Sequence, residues 1–348
     1  MTAGDKPRTA SSAGDRRLEA PHRRGGDSPR VVERLAVAGF RATSWLLASL
    51  PPKPAAAVIG RASQLSYLLW PTKRHWSNRN FANVLGLHPD HPRVRQEAMR
   101  AYRGYGRYLV ELMRLPSRPA AELADMVPDI DADGIKRLWR AAPAGGGLIF
   151  TVGHVGNNEA VAAAIARHDM PISVVADDSS FPEIFEILRR QRESWGVRII
   201  AWRNLREIFG VLRRKEMLAL LVDWGYRSDG IPVRLFGAWT TLPAGPATLA
   251  AKTGSRILPI TIRRRPDDTF LVTFPEPIDL ASSDPAELQR ATQAMADALA
   301  ATIAAAPDQW YSFKPLWPSS EEEAADLERR ATIMQAGQPD PGPAPEFA

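Results

Sequence analysis

The stretch with the clearest capacity for chemistry reads GLIFTVGHVGNNEAVAAA over residues 147–164. Its apolar run ends at Val152, and Gly153 and Gly156 bracket His154. Asn157 or Asn158 can cap a helix whose first turn holds Glu159. A histidine therefore sits where a buried strand turns into a helix, with a carboxylate five residues further on. Imidazole titrates near neutrality. A carboxylate beside it fixes its tautomer and stabilises the imidazolium that forms when it accepts a proton. A helix N-terminus offers amide N–H groups to an oxyanion or a phosphate. The turn contains no Ser or Cys to activate, and we find no G-x-S-x-G elsewhere. Such a base would deprotonate a substrate hydroxyl rather than an enzyme nucleophile. Spacing alone also fits a histidine with a purely structural, capping role.

The flanking pattern predicts the elements that hold this turn. Short apolar runs at 147–152, 172–175, 197–200 and 217–222 alternate with helical stretches at 157–168, 182–194 and 203–214. Strands that are apolar on both faces and separated by helices predict an α/β fold with a mostly parallel central sheet flanked by helices. A helix over 245–254 leads into RILPITIRR (256–264), with which TFLVTFPEPI (269–278) can pair through a short turn. A long Ala-rich helix follows at 284–305. Sites in open α/β sheets lie beyond the carboxyl ends of the strands, which here means residues 153–159, 176–181, 201–203 and 223–231.

Upstream, residues 35–50 and 54–70 are apolar segments separated by Pro51-Pro52, the pattern of an amphipathic helical hairpin. Each carries an arginine (Arg41, Arg61) and falls short of the roughly 20 residues that span a bilayer. One reading is an interfacial anchor, with Trp45, Tyr67 and Trp70 at headgroup level and Lys73, Arg74 and His75 on the polar side. The other is a pair of ordinary core helices. Two more helices are expected at 74–87 and 92–115. Gly104-Tyr-Gly106 lies inside the second and lacks the third glycine of a dinucleotide loop. The predicted organisation is a disordered basic tail (1–34), a helical membrane-associating region (35–115), an α/β core (116–318) and an acidic, largely disordered tail (319–348) that opens with a short capped helix. The first tail has no apolar run of the kind a signal peptide needs.

The pattern Gly153-His154-x-Gly156-Asn157-x-Glu159 after an apolar strand resembles the H-x4-D/E motif of the lipid A lauroyl/myristoyl acyltransferase family, which includes the phosphatidylinositol mannoside acyltransferases. Other blocks are similar in the same order: RHWSNRNFANVLG upstream, then LLVDWGYRSDGIPVRLFG, LPAGPATLAAKTGSRILPI and the closing Pro307-Asp-Gln-Trp310-Tyr. The resemblance runs from residue 35 to about 317. It implies a peripheral O-acyltransferase on the cytoplasmic face of a bacterial plasma membrane. The donor would be acyl-CoA or acyl-ACP as co-substrate, with no further cofactor and no metal. The acceptor would be a hydroxyl of a glycolipid, of phosphatidylinositol mannoside or lipid A type, or of a lysophospholipid. By the same resemblance His154 is the general base and Glu159 orients and charge-balances it. Arg192, 33 residues after Glu159, stands where the family places a site arginine. Asp223 matches an acidic position with a structural or acceptor-binding role. Trp224-Gly225 departs from the Arg-Asp that many members carry, which bears on the acceptor contacts. Asn158 replaces a common Trp, which bears on packing near the acyl group.

The chain has 348 residues, of which 45% are hydrophobic and 24% charged, a globular composition. The absence of cysteine excludes disulfides, thiol nucleophiles and Cys-ligated metals. High Ala and Arg usage points to a GC-rich bacterial genome. The net charge of +6 divides into +3 on residues 1–34, −5 on 319–348 and +8 between them. Residues 189–215 hold nine cationic side chains against two carboxylates. Some of these, with Arg192, Arg190 and Arg203 as candidates, are expected to meet the diphosphate of coenzyme A, a carrier protein or an anionic membrane surface. The rest are solvated helix faces. A nucleic-acid-binding role would use basic and Trp residues in the same way, but no such module is visible. A non-catalytic lipid-binding protein of the same fold is the remaining alternative.

Overall fold

The computed structural model describes residues 28–142, 146–177 and 182–347. Four helices open it: α1 (Ser28–Ser49), α2 (Pro52–Leu69), α3 (Pro71–Leu85) and α4 (Pro92–Arg114). Three of these boundaries follow from proline, which is tolerated in a helix's first turn but not inside it. Two short helices, α5 (Ala120–Ala124) and α6 (Ala132–Arg140), lead to the core. There β1 (Leu148–Val152), α7 (Asn158–Arg167), β2 (Ile172–Ala176), α8 (Pro182–Ser194), β3 (Arg198–Ala201), α9 (Leu205–Arg213) and β4 (Met217–Leu221) alternate as the sequence predicts. A hairpin, β5 (Ile231–Leu235) and β6 (Ala238–Leu242), that the apolar pattern did not disclose comes next. It is followed by α10 (Gly245–Thr253) and β7 (Arg256–Pro259). The expected pairing of the two following runs forms as β8 (Thr261–Arg264) with β9 (Phe270–Thr273), antiparallel. Two long helices, α11 (Pro285–Ala305) and α12 (Glu321–Gln335), close the chain.

The central sheet has the order β3-β2-β4-β1-β7, and all its pairings are parallel. β1 is buried along its whole length, as a strand covered on both faces must be. Ile149 and Leu218 join the apolar core on one side, with α9, α10 and α11, while Leu148 and Phe150 join the other, with α5 and α7. The α/β architecture is therefore the one expected.

The helical hairpin serves the core with only part of its surface. Val37, Phe40, Ser44 and Leu47 form the buried stripe of α1, at helical spacing. Trp45 (72% exposed), Leu46, Leu50, Val58, Leu65, Leu68, Leu69 (81%) and Trp70 (58%) remain in solvent. Tyr67 differs from its expected place near lipid: it is buried and donates to Asn78 Oδ1 at 2.8 Å. The two glycines rejected as a nucleotide loop have a packing role. A Cβ on Gly106 of α4 would lie 2.8 Å from the Gly60 Cα of α2, so the helices touch backbone to backbone. No helix among the described residues is long and apolar enough to cross a membrane.

Both expected tails need correction. Residues 1–27 lie outside the described residues, but α1 already begins at Ser28. At the other end α12 is a full helix packed on α11, β5 and β6 rather than disordered coil. Ser320 caps it by accepting from the Glu323 amide at 3.2 Å. Leu327, Ala331 and Met334, four and three residues apart, supply an apolar stripe that the acidic composition masked. Arg330 is fully buried, with both oxygens of Asp340 at 2.9 and 2.7 Å and the carbonyls of Ser228 and Gly230 at 2.6 and 2.9 Å.

Candidate active site

Strand register assembles the site. β1 and β4 are neighbours with Val152 opposite Leu221, and the Val222 amide donates to the Val152 carbonyl. The chain thus leaves both strands at the same level. Gly153-His154 emerges from one and Asp223 from the other. Asp223 Oδ1 lies 2.6 Å from His154 Nδ1, and Oδ2 accepts from the His154 backbone amide and from Trp310 Nε1, both at 2.9 Å. The Asp223 side chain is wholly buried, whereas that of His154 is 26% exposed. Nε2 has no partner among the described residues. The imidazole is held at one nitrogen and presents the other.

Burial lowers the proton affinity of His154, but the charge and hydrogen bond of Asp223 outweigh burial and raise its pKa above the usual 6.5, with nearby Lys314 opposing. Burial raises Asp223 in turn, yet the His154 charge and the three hydrogen bonds leave its pKa below the usual 3.8. The Trp224 ring lies 5.6 Å from the imidazole, and the Lys314 ammonium lies 3.9 Å from the Trp224 ring centroid.

The turn carrying His154 is fixed from several directions. Gly156 has φ +67°, and a Cβ there would approach Ile262 Cγ2 to 2.7 Å, so only glycine fits without displacement. The Gly156 amide donates to the Gln309 carbonyl at 3.1 Å, and the Tyr311 amide donates to the His154 carbonyl at 2.8 Å. Asn157 Oδ1 caps α7 by accepting from the Glu159 and Ala160 amides at 3.0 and 3.2 Å. Two of the amides expected to face an oxyanion are therefore occupied by the protein itself. Asn157 Nδ2 donates to Glu111 Oε2 at 2.8 Å, and Arg264 donates to that oxygen at 2.7 Å.

Glu159 differs from its expected role. Its carboxylate meets Arg192 through two bonds, 2.9 Å from Nε and 2.5 Å from an Nη. The carboxylate against the imidazole is that of Asp223, 69 residues away in sequence. Proximity along the chain favoured Glu159, and pairing of β1 with β4 delivers Asp223. Arg192 therefore belongs to a partly buried ion pair beside the site. Burial opposes its charge, but Glu159 more than restores it and holds its pKa above the ordinary value. Next to this pair, burial first and Glu159 second push the Tyr108 phenol above its usual range.

Arg190 and Arg203 are not brought to His154. Arg190 is 75% exposed and pairs with Glu186 at 2.7 Å, and Arg203 lies 5.0 Å from the Trp202 ring centroid on the surface. Of the loop expected at 176–181, positions 178–181 lie outside the described residues. Trp310, Glu111 and Gln309 were not assigned roles from sequence. Gln309 and Trp310 carried a signal as part of the closing block, and Glu111 carried none. Among the described residues no group of three or more acidic or histidine side chains is placed to hold a metal ion.

Residues 32–319 match the profile of the bacterial lipid A biosynthesis acyltransferase family. The chain is 30% identical over 303 residues to a phosphatidylinositol mannoside acyltransferase of Mycolicibacterium smegmatis, covering 85% of this chain and 94% of that protein. It is 30% identical over 260 residues to a phosphatidylinositol mannoside acyltransferase of Mycobacterium tuberculosis, covering 72% and 80%. A family match across nearly the whole α/β core and the helices before it, with a poised histidine at the end of its central strand, identifies the chain as an O-acyltransferase belonging to the bacterial lipid A biosynthesis acyltransferase family.

Proposed function

We propose that the protein transfers a fatty acyl chain from a thioester, acyl-CoA or acyl-ACP, to a hydroxyl of a membrane glycolipid of the phosphatidylinositol mannoside type, working as a peripheral protein on the cytoplasmic membrane face. The observation that carries the chemistry is the His154–Asp223 pair with Nε2 free. Nε2 takes the proton of the acceptor hydroxyl as that oxygen attacks the thioester carbonyl. The tetrahedral intermediate collapses, the C–S bond breaks, and the departing sulfur takes the proton from the imidazolium to leave as a thiol. Asp223 stabilises the imidazolium between these steps, and its buried setting strengthens that interaction. No acyl-enzyme is formed, because the turn offers no hydroxyl or thiol nucleophile.

The acceptor class rests on the two mycobacterial-type relatives, both named for phosphatidylinositol mannosides. The membrane placement rests on the exposed apolar face of α1 and α2. Purified protein given palmitoyl-CoA should release thiol when supplied with a phosphatidylinositol mannoside and much more slowly with water alone. A lysophospholipid or a lipid A precursor as the better acceptor would replace the acceptor assignment. Binding of these lipids with no turnover of any donor would sink the enzymatic reading.

A further inference from the structure

Asn80 is a buried amide to which the acyl-transfer mechanism gives no task. It lies in α3, within the upstream RHWSNRNFANVLG block, and is 1% exposed. Its Nδ2 donates to the carbonyls of Ser312 and Lys314 at 3.2 and 2.7 Å, and its Oδ1 accepts from the Leu316 amide at 3.2 Å. These three residues are spaced by two, so their backbone groups share one edge of an extended segment. Thr240 joins that edge by donating to the Leu316 carbonyl. The opposite edge belongs to the catalytic loops. There the Gln309 carbonyl accepts from the Gly156 amide at 3.1 Å, the Tyr311 amide donates to the His154 carbonyl at 2.8 Å, and the Pro315 carbonyl accepts from the Tyr226 amide at 2.8 Å. Residues 309–316 thus form a strap. Its odd-numbered edge bonds the loops after β1 and β4, and its even-numbered edge bonds Asn80. From the same strap Trp310 Nε1 reaches Asp223 Oδ2 at 2.9 Å, and Lys314 lies over the Trp224 ring.

We propose that Asn80 is a positioning residue for the His154–Asp223 pair and acts on it through this strap. Its kinetic consequence rests on the acyl-transfer reading. Backbone groups on the edge of a buried extended segment need partners. One carboxamide supplies two donor hydrogens and an acceptor on a single planar head, which suits two carbonyls and an amide in a row. Aspartate would lack the donors, and leucine would fill the space with neither. The three bonds fix the strap along its own axis. A strap free to slide would carry Trp310 off Asp223 and Tyr311 off the His154 carbonyl, and the 2.6 Å contact between imidazole and carboxylate depends on both loops staying in place. Misplacement of a catalytic group by about 1 Å can cost about 10²-fold in rate. Asn80 itself bonds no catalytic side chain. The charges facing His154 are Asp223, from the loop after β4, and Lys314, from the strap. Loosening the strap weakens both, and Asp223 has the larger effect, so the imidazole should lose proton affinity.

The test is an NMR titration of the His154 ring in full-length protein without substrate, run beside steady-state kinetics with palmitoyl-CoA. Asn80→Ala should bring the His154 pKa down toward 6.5 and reduce kcat by about 10- to 100-fold, with KM for palmitoyl-CoA little changed. Asn80→Ser, which keeps one donor, should fall between wild type and Asn80→Ala, and it takes over the test if the alanine variant does not fold. Asn78→Ala is the control. Asn78 is also a buried asparagine of α3, but its Oδ1 accepts from Tyr67 and none of its side-chain bonds reaches the strap. That variant should lower the denaturation midpoint and leave the His154 pKa and kcat at their wild-type values. Trp310→Phe removes the bond to Asp223 alone. Combined with Asn80→Ala it should cost less than the product of the two single losses, because both act through the strap. A wild-type His154 pKa and kcat in Asn80→Ala overturn the proposal. So do equal kcat losses in Asn78→Ala and Asn80→Ala with the His154 pKa unmoved, which would reduce Asn80 to a general part in stability. Absence of acyl transfer by wild type with any donor would instead refute the acyl-transfer reading, and the NMR comparison would still decide whether the strap positions the pair.

Discussion

Asp223 reaches His154 with one carboxylate oxygen on the imidazole and the other on the backbone amide of the same residue, so orientation and charge come from one group. His154→Ala removes the base, and turnover should fall by about 10²–10⁴, measured as thiol release under saturating donor. Asp223→Asn keeps the shape but removes the charge that raises the imidazole pKa. Wild-type activity should rise with pH through a pKa above 6.5, because only neutral imidazole is a base. In Asp223→Asn this ascending limb should move to lower pH and the plateau should fall. The ion pair's contribution to stability runs the opposite way. The raised His154 pKa stabilises fully below 6.5 and loses its effect as pH climbs through the folded value, while the lowered Asp223 pKa stabilises above 3.8 and loses its effect as pH falls through its folded value. Glu159→Gln should behave differently from Asp223→Asn. It leaves the partly buried Arg192 without its charged partner, so urea denaturation should show a loss of roughly 1–3 kcal/mol, with the pH limb in place. A shifted limb in Glu159→Gln would return Glu159 to the imidazole.

At the scale of elements, the hairpin α1–α2 packs one face on α4 and leaves another, apolar, exposed among the described residues. Exposed apolar patches of this kind mark interaction surfaces, and interfacial helices bury them at the headgroup boundary. The triple substitution Trp45→Ser/Leu69→Ser/Trp70→Ser should sharply reduce sedimentation with phosphatidylinositol-containing vesicles while leaving thermal stability nearly unchanged, since none of the three serves the core. Sedimentation equal to wild type would remove the hairpin from membrane binding. Gly106→Val tests the opposite face. Its side chain would force α2 off α4, at about 1–3 kcal/mol or more, read as a lower denaturation midpoint.

Across the whole molecule, the C-terminal segment ties the loop after Asp223 to the rest of the fold. Arg330 holds Ser228 and Gly230, five and seven residues beyond Asp223, and is itself neutralised by Asp340. Arg330→Met should therefore lower stability by roughly 3 kcal/mol, as expected when Asp340 loses its partner and two carbonyls lose their donor. Circular dichroism during urea titration would measure it. An effect within about 0.5 kcal/mol, the range of neutral surface changes, would mean that α12 is only loosely attached.

The sequence by itself determined the alternation of strands and helices, the turn that presents His154, the hairpin broken at Pro51-Pro52 and the family. All of these are local: period, proline, cap residue and motif are read within a few residues of one another. The tertiary structure decided which groups meet. Glu159 is five residues from His154 yet pairs with Arg192, because the order of parallel strands sets Asp223, and not the nearest acid, beside the imidazole. The cations of 189–215 look like the chain's charge centre by count, but glutamates a turn away on the same helix or on adjoining elements pair with five of the nine. Gly60 and Gly106 match no motif in sequence and become a contact only where α2 and α4 cross. The capped start of the last helix was legible, but its acidic composition hid its length and packing, and the partners of its buried Arg330 lie ten and a hundred residues away. Local rules name the elements, while strand register and helix crossing, which involve distant residues, choose the partners.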